Sequence, residues 1–349
     1  MSEKGSKFMS ISSTSISERP PRAVGLLGGG VIGGGWAARL MLNGVNVRLY
    51  DPAPNAVSRV NERLEKARRA FRQLTKVPLP PEGSLTVVST VAEAVQGVEM
   101  VQESAPERLE LKQQLLAAAN KAAPETLICS STSALMPSLL QAEMSNPECL
   151  VVAHPFQPVY LAPLVELCAG QHTAPEMVSR AAEIYRAVGM HPLVVRKENY
   201  GFIGNRLQMA AWLEALWLVH DDLATVQDID DAFRYSFGLR QAVMGPFLTY
   251  FVGSGTKDMR EFVEKRNPES KGYSKLTDVP EYTQTFIDRL AEQAETWGLG
   301  DNMTAADYQQ MLDDGLVGVL QGLRSQKCGA GETLARWEQS LRERIPTGR

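Results

Sequence analysis

Between Ala23 and Lys197 the chain alternates short apolar, β-rich runs with longer stretches of helical periodicity. The runs Ala23–Leu27, Val45–Tyr50, Leu85–Ser89, Met100–Glu103, Thr126–Ser130, Leu150–Ala153, Leu164–Cys168 and His191–Arg196 read as strands. Between them Val31–Asn43, Ala56–Thr75, Val91–Val95, Leu109–Ala122 and Thr173–Val188 read as helices. Such alternation predicts an α/β fold, a mostly parallel sheet with helices on both faces. At Asn199 the character changes. Tyr200–Leu223 is one long apolar helix pattern, followed by Val226–Phe237, Gly245–Val252, Thr256–Lys265, Glu281–Ala294 and Ala305–Leu323, with no strand signal among them. The expected organisation is a serine-rich, disordered tail over residues 1–20, an α/β domain over 21–198 and an all-helical domain over 199–349.

The first strand runs into Gly28-Gly-Gly30-Val-Ile-Gly33, and Asp51 closes the second strand. This is the dinucleotide fingerprint in its full strand–turn–helix–strand setting, and it predicts a Rossmann-type domain. Gly28 makes the turn, Gly30 lets the backbone approach a pyrophosphate, and Gly33 lets the helix pack close to the strand. The amides at the helix start, at Val31 and Ile32, favour phosphate charge. A carboxylate at Asp51 takes both ribose hydroxyls and repels a 2′-phosphate, so the expected cofactor is NAD rather than NADP.

Composition narrows the class without changing it. Of 349 residues 44% are hydrophobic and 22% charged, the net charge is −4, and no basic cluster marks a nucleic-acid footprint. The basic stretch Arg59 to Arg72 alternates with Glu62 and Glu65 and reads as a solvated helix face, with an anionic ligand as the alternative. No apolar run is long enough to span a membrane, and four cysteines without metal spacing suit a reduced, cytoplasmic protein with no metal site.

Of four histidines, His154 stands out: it ends the strand Leu150–Ala153 and is followed by Pro155-Phe156-Gln157-Pro158. A histidine at the carboxyl end of a sheet strand is placed for proton transfer near neutral pH. Glu166 interrupts the apolar run Pro163–Cys168, where a lone carboxylate is costly unless paired. Its partner is that imidazole, or else Glu166 belongs to a structural ion pair or faces outward at a sheet edge. Ser133, just past the strand Thr126–Ser130, either bonds a substrate oxygen or caps a helix, and Asn205 at the domain junction leaves the same choice open.

Together these segments resemble the 3-hydroxyacyl-CoA dehydrogenase family from Arg22 to about Arg324: the glycine turn with Asp51, Glu103 in Val-Gln-Glu-Ser-Ala-Pro-Glu, Ser131-Thr-Ser133, His154-Pro-Phe-Gln-Pro158, Leu164-Val-Glu166 and Gly201-Phe-Ile-Gly-Asn205-Arg206. The resemblance implies a general base at His154, oriented by Glu166, with Ser133 and Asn205 holding the reacting oxygen, and it adds Glu103 to the cofactor site. It also implies a small-molecule 3-hydroxy acid substrate and a homodimer formed through the helical domain. The loop from His154 to Glu166 is most similar to the carnitine-oxidising branch, although Gln157 stands where the family pattern has asparagine. Phe156 and Tyr160 from that loop, with Tyr250 and Phe251 from the helical part, are the aromatic faces expected to enclose a trimethylammonium group; taken singly, each also fits a core position.

Overall fold

The computed structural model describes residues 19–252, 254, 281, 283–286, 288 and 305–344. The expected tail (apart from 19 and 20), the helix expected over Thr256–Lys265, and most of that over Glu281–Ala294 lie outside the described residues.

Eight strands, β1 (Ala23–Leu27), β2 (Asn46–Tyr50), β3 (Leu85–Val87), β4 (Met100–Glu103), β5 (Leu127–Ser130), β6 (Leu150–Pro155), β7 (Leu164–Ala169) and β8 (His191–Val195), form one sheet. Its order is β3-β2-β1-β4-β5-β6-β7-β8. All neighbours are parallel except β6 and β7, which pair antiparallel and place His154 directly opposite Glu166. Period-two alternation divides the sheet into two faces. Val24, Leu26, Leu127, Cys129, Val151 and Ala153 point into one core, and Leu27, Ile128, Leu150 and Val152 into the other. The first core is covered by α1 (Val31–Leu42), α2 (Ala56–Leu74) and α6 (Pro175–Ala187). The second is covered by α3 (Val91–Val95), α4 (Leu109–Ala122) and α5 (Pro137–Leu140). Trp36 on α1 is fully buried and stacks at 5.2 Å from Tyr185 of α6, anchoring the central helix to the sheet.

The helical part begins with α7 (Gly204–His220) and α8 (Val226–Ala232), followed by a π-helical turn, Phe233–Phe237, and α9 (Gly238–Val252). The long helix starts at Gly204 and not at Tyr200, because Gly201 (φ 75°) and Phe202 (φ 50°) are both left-handed and break the helical path. Helix α9 is kinked at Gly245 (φ 71°), with Pro246 starting the second half, which is where the sequence pattern placed a new helix start. The last two helices, α10 (Ala305–Ser325) and α11 (Ala330–Arg344), return to the sheet domain and pack on α2 and α6. Arg69 makes two bonds to Asp314 at 2.7 and 2.8 Å, and the Trp337 indole donates to Asn43 at 2.7 Å. Trp337 also meets Phe71 edge-on at 5.3 Å. The four cysteines are free, three of them buried, and among the described residues no helix is long and apolar enough to cross a membrane.

Candidate active site

The sheet's strand order reverses between β1 and β4, and a cleft of about 700 Å³ opens beyond the carboxyl ends of the strands there. Gly28, Gly30, Val31, Ile32, Asp51, Ser133 and His154 all line it. A Cβ built on Gly30 would meet nothing within 4 Å: it would project into open space where a pyrophosphate could lie. A Cβ on Gly33 would sit 1.9 Å from the Gly28 carbonyl oxygen, so the helix approaches the turn only because that atom is missing. Helix α1 has no side-chain cap and no acidic residue in its first turn, so its leading amides remain available to an anion. These features fit a dinucleotide.

Asp51, at the end of β2, accepts from the Gly29 amide at 2.7 Å and from the Ala53 amide at 2.8 Å. Its carboxylate is therefore fixed by backbone at the rim of the cleft. Glu103 is placed differently from the expectation. It is fully buried below the cleft, where its carboxylate takes Lys112 at 2.8 Å, the Ala105 amide at 2.6 Å and the Ser130 hydroxyl at 2.5 Å. Its donors among the described residues are internal, and it is not among the residues that line the cleft. Of these two glutamates it is Glu107, four residues on, that lines the cleft, together with Asp51. Burial pushes the Glu107 carboxyl up, but the Thr132 hydroxyl, the Lys112 charge and the amides of Ser133 and Ala134 outweigh it and leave it below the ordinary range. Glu107 was missed in the sequence; an acidic residue in the loop just past a strand's carboxyl end was the available signal.

His154 and Glu166 form a buried pair, with Nδ1 of His154 2.8 Å from a Glu166 carboxylate oxygen. The other carboxylate oxygen accepts from the amides of Ile203 at 3.0 Å and Gly204 at 2.9 Å, the first amides of α7. The left-handed turn at Gly201 and Phe202 aims those amides back at β7. Burial raises the Glu166 carboxyl, but the His154 hydrogen bond, the Gly204 and Ile203 amides and the imidazole charge together bring it below its ordinary value. A carboxylate only accepts, so Nδ1 carries the proton and Nε2 is the basic nitrogen. Phe156 stands edge-on to the imidazole at 4.8 Å, and Phe202 packs at 5.6 Å.

Ser133 and Asn205 are brought together: the Asn205 carboxamide donates to the Ser133 carbonyl at 2.8 Å. The Ser133 amide and hydroxyl both point at Glu107, at 2.9 and 3.4 Å. Beyond Ser133 a second groove of about 750 Å³ continues along α7, lined by Asn205, Tyr200, Arg206 and Trp212. The two cavities share Ser133. The aromatic set expected from sequence is not gathered in either of them. Tyr160 is a core residue, 1% exposed, with its hydroxyl donating to Asp313 at 2.6 Å, because β6 and the following loop turn its ring under α1 and α10. Tyr250 lies half-exposed on α9 and lines neither cavity. The side chain of Phe251 lies outside the described residues. Gln157 is exposed and precedes Pro158 in a cis peptide.

Residues 23–199 match the model for the 3-hydroxyacyl-CoA dehydrogenase NAD binding domain, and residues 201–286 match that for the C-terminal domain. The chain belongs to the 3-hydroxyacyl-CoA dehydrogenase family. It is an NAD-dependent dehydrogenase. Within the family it is 46% identical to the L-carnitine dehydrogenase of Mesorhizobium japonicum, over 87% of this chain and 84% of that one. It is 44% identical to the L-carnitine dehydrogenase of Pseudomonas aeruginosa, over 88% and 96%. The L-carnitine dehydrogenase/betainyl-CoA thioesterase of Rhizobium meliloti is 43% identical over 91% of this chain, which spans 65% of that longer protein. Among solved structures, FHMPC 5-dehydrogenase, an NAD+-dependent dismutase, superposes with a TM-score of 0.73 at 27% identity, over 86% of this chain and 98% of that one.

Proposed function

We propose that this dehydrogenase oxidises the 3-hydroxyl of L-carnitine to give 3-dehydrocarnitine, with His154 as the base. The observation that carries the reaction class is the His154–Glu166 pair, buried at 2.8 Å beside the cleft that the glycine turn forms. Nε2 of His154 takes the hydroxyl proton, and Glu166 steadies the imidazolium that results. Ser133 and Asn205, already linked, fix the substrate oxygen within reach of that nitrogen. NAD, when bound, accepts the hydride from C3. The ground for carnitine is the likeness to L-carnitine dehydrogenases over most of the chain.

The groove beyond Ser133 is our choice for the rest of the substrate. Tyr200 and Trp212 there, 75% and 55% exposed, offer aromatic faces to a trimethylammonium group, and Arg206 offers a cation to the carboxylate. This replaces Tyr160 in the cage and keeps Phe156 as a contact on the histidine side. We further propose that residues 21–198 act as the cofactor domain and 199–349 as the helical substrate domain, that a second copy of the chain covers the helical part, and that the enzyme works in the cytoplasm. The deciding experiment is an initial-rate comparison of L-carnitine, D-carnitine, L-gulonate, 3-hydroxybutyrate and 3-hydroxybutyryl-CoA with NAD. L-carnitine is expected to react fastest. Faster reaction of L-gulonate or a hydroxybutyryl substrate would discard carnitine and leave hydride transfer standing.

A further inference from the structure

The basic stretch of α2 is not a uniformly solvated face. Lys66 pairs with Glu62, Arg68 with Glu65 and Glu82, and Arg69 with Asp314. Arg59 turns instead toward the cofactor cleft and lines it together with Asp51. Its Nη2 lies 3.4 Å from the Asp51 carboxylate, at the outer edge of hydrogen-bonding distance. Its Nε is buried without a hydrogen-bond partner among the described residues. The Asp51 carboxylate is meanwhile held at 2.7 and 2.8 Å by the Gly29 and Ala53 amides, so Asp51 does not depend on Arg59 for its position. The result is a loosely engaged guanidinium beside the acidic residue that the dinucleotide fingerprint would set against an adenosine ribose. A cation within reach of that carboxylate is also within reach of a phosphate on the ribose 2′ position, the group for which an arginine is the matching ligand.

We propose that Arg59 is a specificity-determining residue of the cofactor site: a latent ligand for a 2′-phosphate, held in check by the charge of Asp51. In the native protein the carboxylate repels a 2′-phosphate and occupies the guanidinium electrostatically. With that charge removed, the same arginine forms charge-assisted bonds to the phosphate with no rebuilding of the loop. Preference for NAD over NADP then depends on one carboxylate, and the opposite preference is already half built. The inference rests on NAD lying in the cleft and is independent of the substrate.

The test is a four-protein cycle of native, Asp51→Asn, Arg59→Gln and the double variant, with dissociation constants for NADH and NADPH read from nicotinamide fluorescence at low and high salt. Asp51→Asn is expected to tighten NADPH binding by about tenfold or more, equivalent to about 1.4 kcal/mol. The gain should shrink at high salt, and adding Arg59→Gln should abolish it. Arg59→Gln alone should leave NADPH as weakly bound as in the native protein. If Asp51→Asn gains nothing, the proposal is overturned; it is overturned equally if the double variant keeps the gain, because relief of repulsion is then the whole effect. Thermal melting checks that each variant is folded, and Asp51→Ser serves for the same comparison should Asp51→Asn not fold. Failure of the native protein to bind NADH would instead discard the cofactor site itself.

Discussion

Replacing Glu166 by glutamine changes one atom in the centre of the site and tests the whole arrangement. Three donors converge on the native carboxylate: His154 Nδ1 at 2.8 Å, the Ile203 amide at 3.0 Å and the Gly204 amide at 2.9 Å. A carboxamide has one accepting oxygen and one donating NH₂. If the oxygen stays on the two amides, the NH₂ faces Nδ1, which must then accept, and the imidazole proton moves to Nε2. That nitrogen can no longer take a proton from a substrate. The reversed carboxamide opposes two amides with donors, which is worse. The stability cost is that of exchanging a charge-assisted buried bond for a neutral one, about 1–3 kcal/mol. The turnover cost is that of losing a positioned base, about 10²–10⁴-fold. NADH production followed by absorbance gives the rate, fluorescence titration gives cofactor affinity, and urea unfolding gives stability. Turnover should collapse while NADH still binds and the fold persists. Near-native turnover in Glu166→Gln would refute the tautomer argument and with it the role of His154.

Other expectations follow from the same geometry. Because the Glu166 carboxyl lies below its ordinary value when folded, its stabilising contribution is complete above the unfolded pKa of about 4.3 and is lost as pH falls through the lower folded value. Melting curves of native and Glu166→Gln should therefore converge on acidification, and a difference that stayed constant to low pH would contradict the sign. Trp337→Ala removes a side chain that is 4% exposed and takes the indole donor from the Asn43 carboxamide oxygen, and should cost about 3–5 kcal/mol in chemical denaturation; a loss below about 1 kcal/mol would mean that α11 is not anchored there. Trp212→Ala should raise the Michaelis constant for carnitine more than it lowers turnover, since a cation contact acts in ground and transition states alike; a pure turnover effect would remove Trp212 from the substrate groove. Light scattering at micromolar concentration should give twice the chain mass, and a monomer mass would contradict the proposed assembly.

The sheet domain was legible almost residue by residue, because a buried strand and an amphipathic helix have different periods and the glycine turn has a fixed place between them. Strands β1 and β4, and helices α3 and α4, begin and end where the pattern put them. His154 and Glu166 were legible because a polar residue ending or interrupting an apolar strand needs a reason. What the pattern could not carry was direction. Nothing in the run Leu164–Ala169 says that it pairs antiparallel, and it is that pairing which sets Glu166 opposite His154. Side-chain aim was equally hidden: Glu103 and Glu107 are both acidic residues near one strand end, yet one is sealed beneath the cleft and the other opens on it. Tyr160 misled for the same reason, since nearness to His154 in sequence says nothing about which side of the loop a ring occupies. The start of α7 was placed too early because Phe202 adopts a left-handed conformation that composition does not signal.

The return of α10 and α11 onto the sheet domain has a consequence for how the protein is made. Val317, Leu320, Leu334, Trp337 and Leu341 complete the core that covers one face of the first domain, and they are synthesised only after the whole of the sheet domain. Until then α1, α2 and α6 expose the apolar surface those residues later cover, so the nucleotide-binding half cannot mature ahead of the rest during synthesis. A chain stopped at residue 286, where the family match ends, would leave that surface bare and prone to aggregation or chaperone capture, even with every residue of the cleft present.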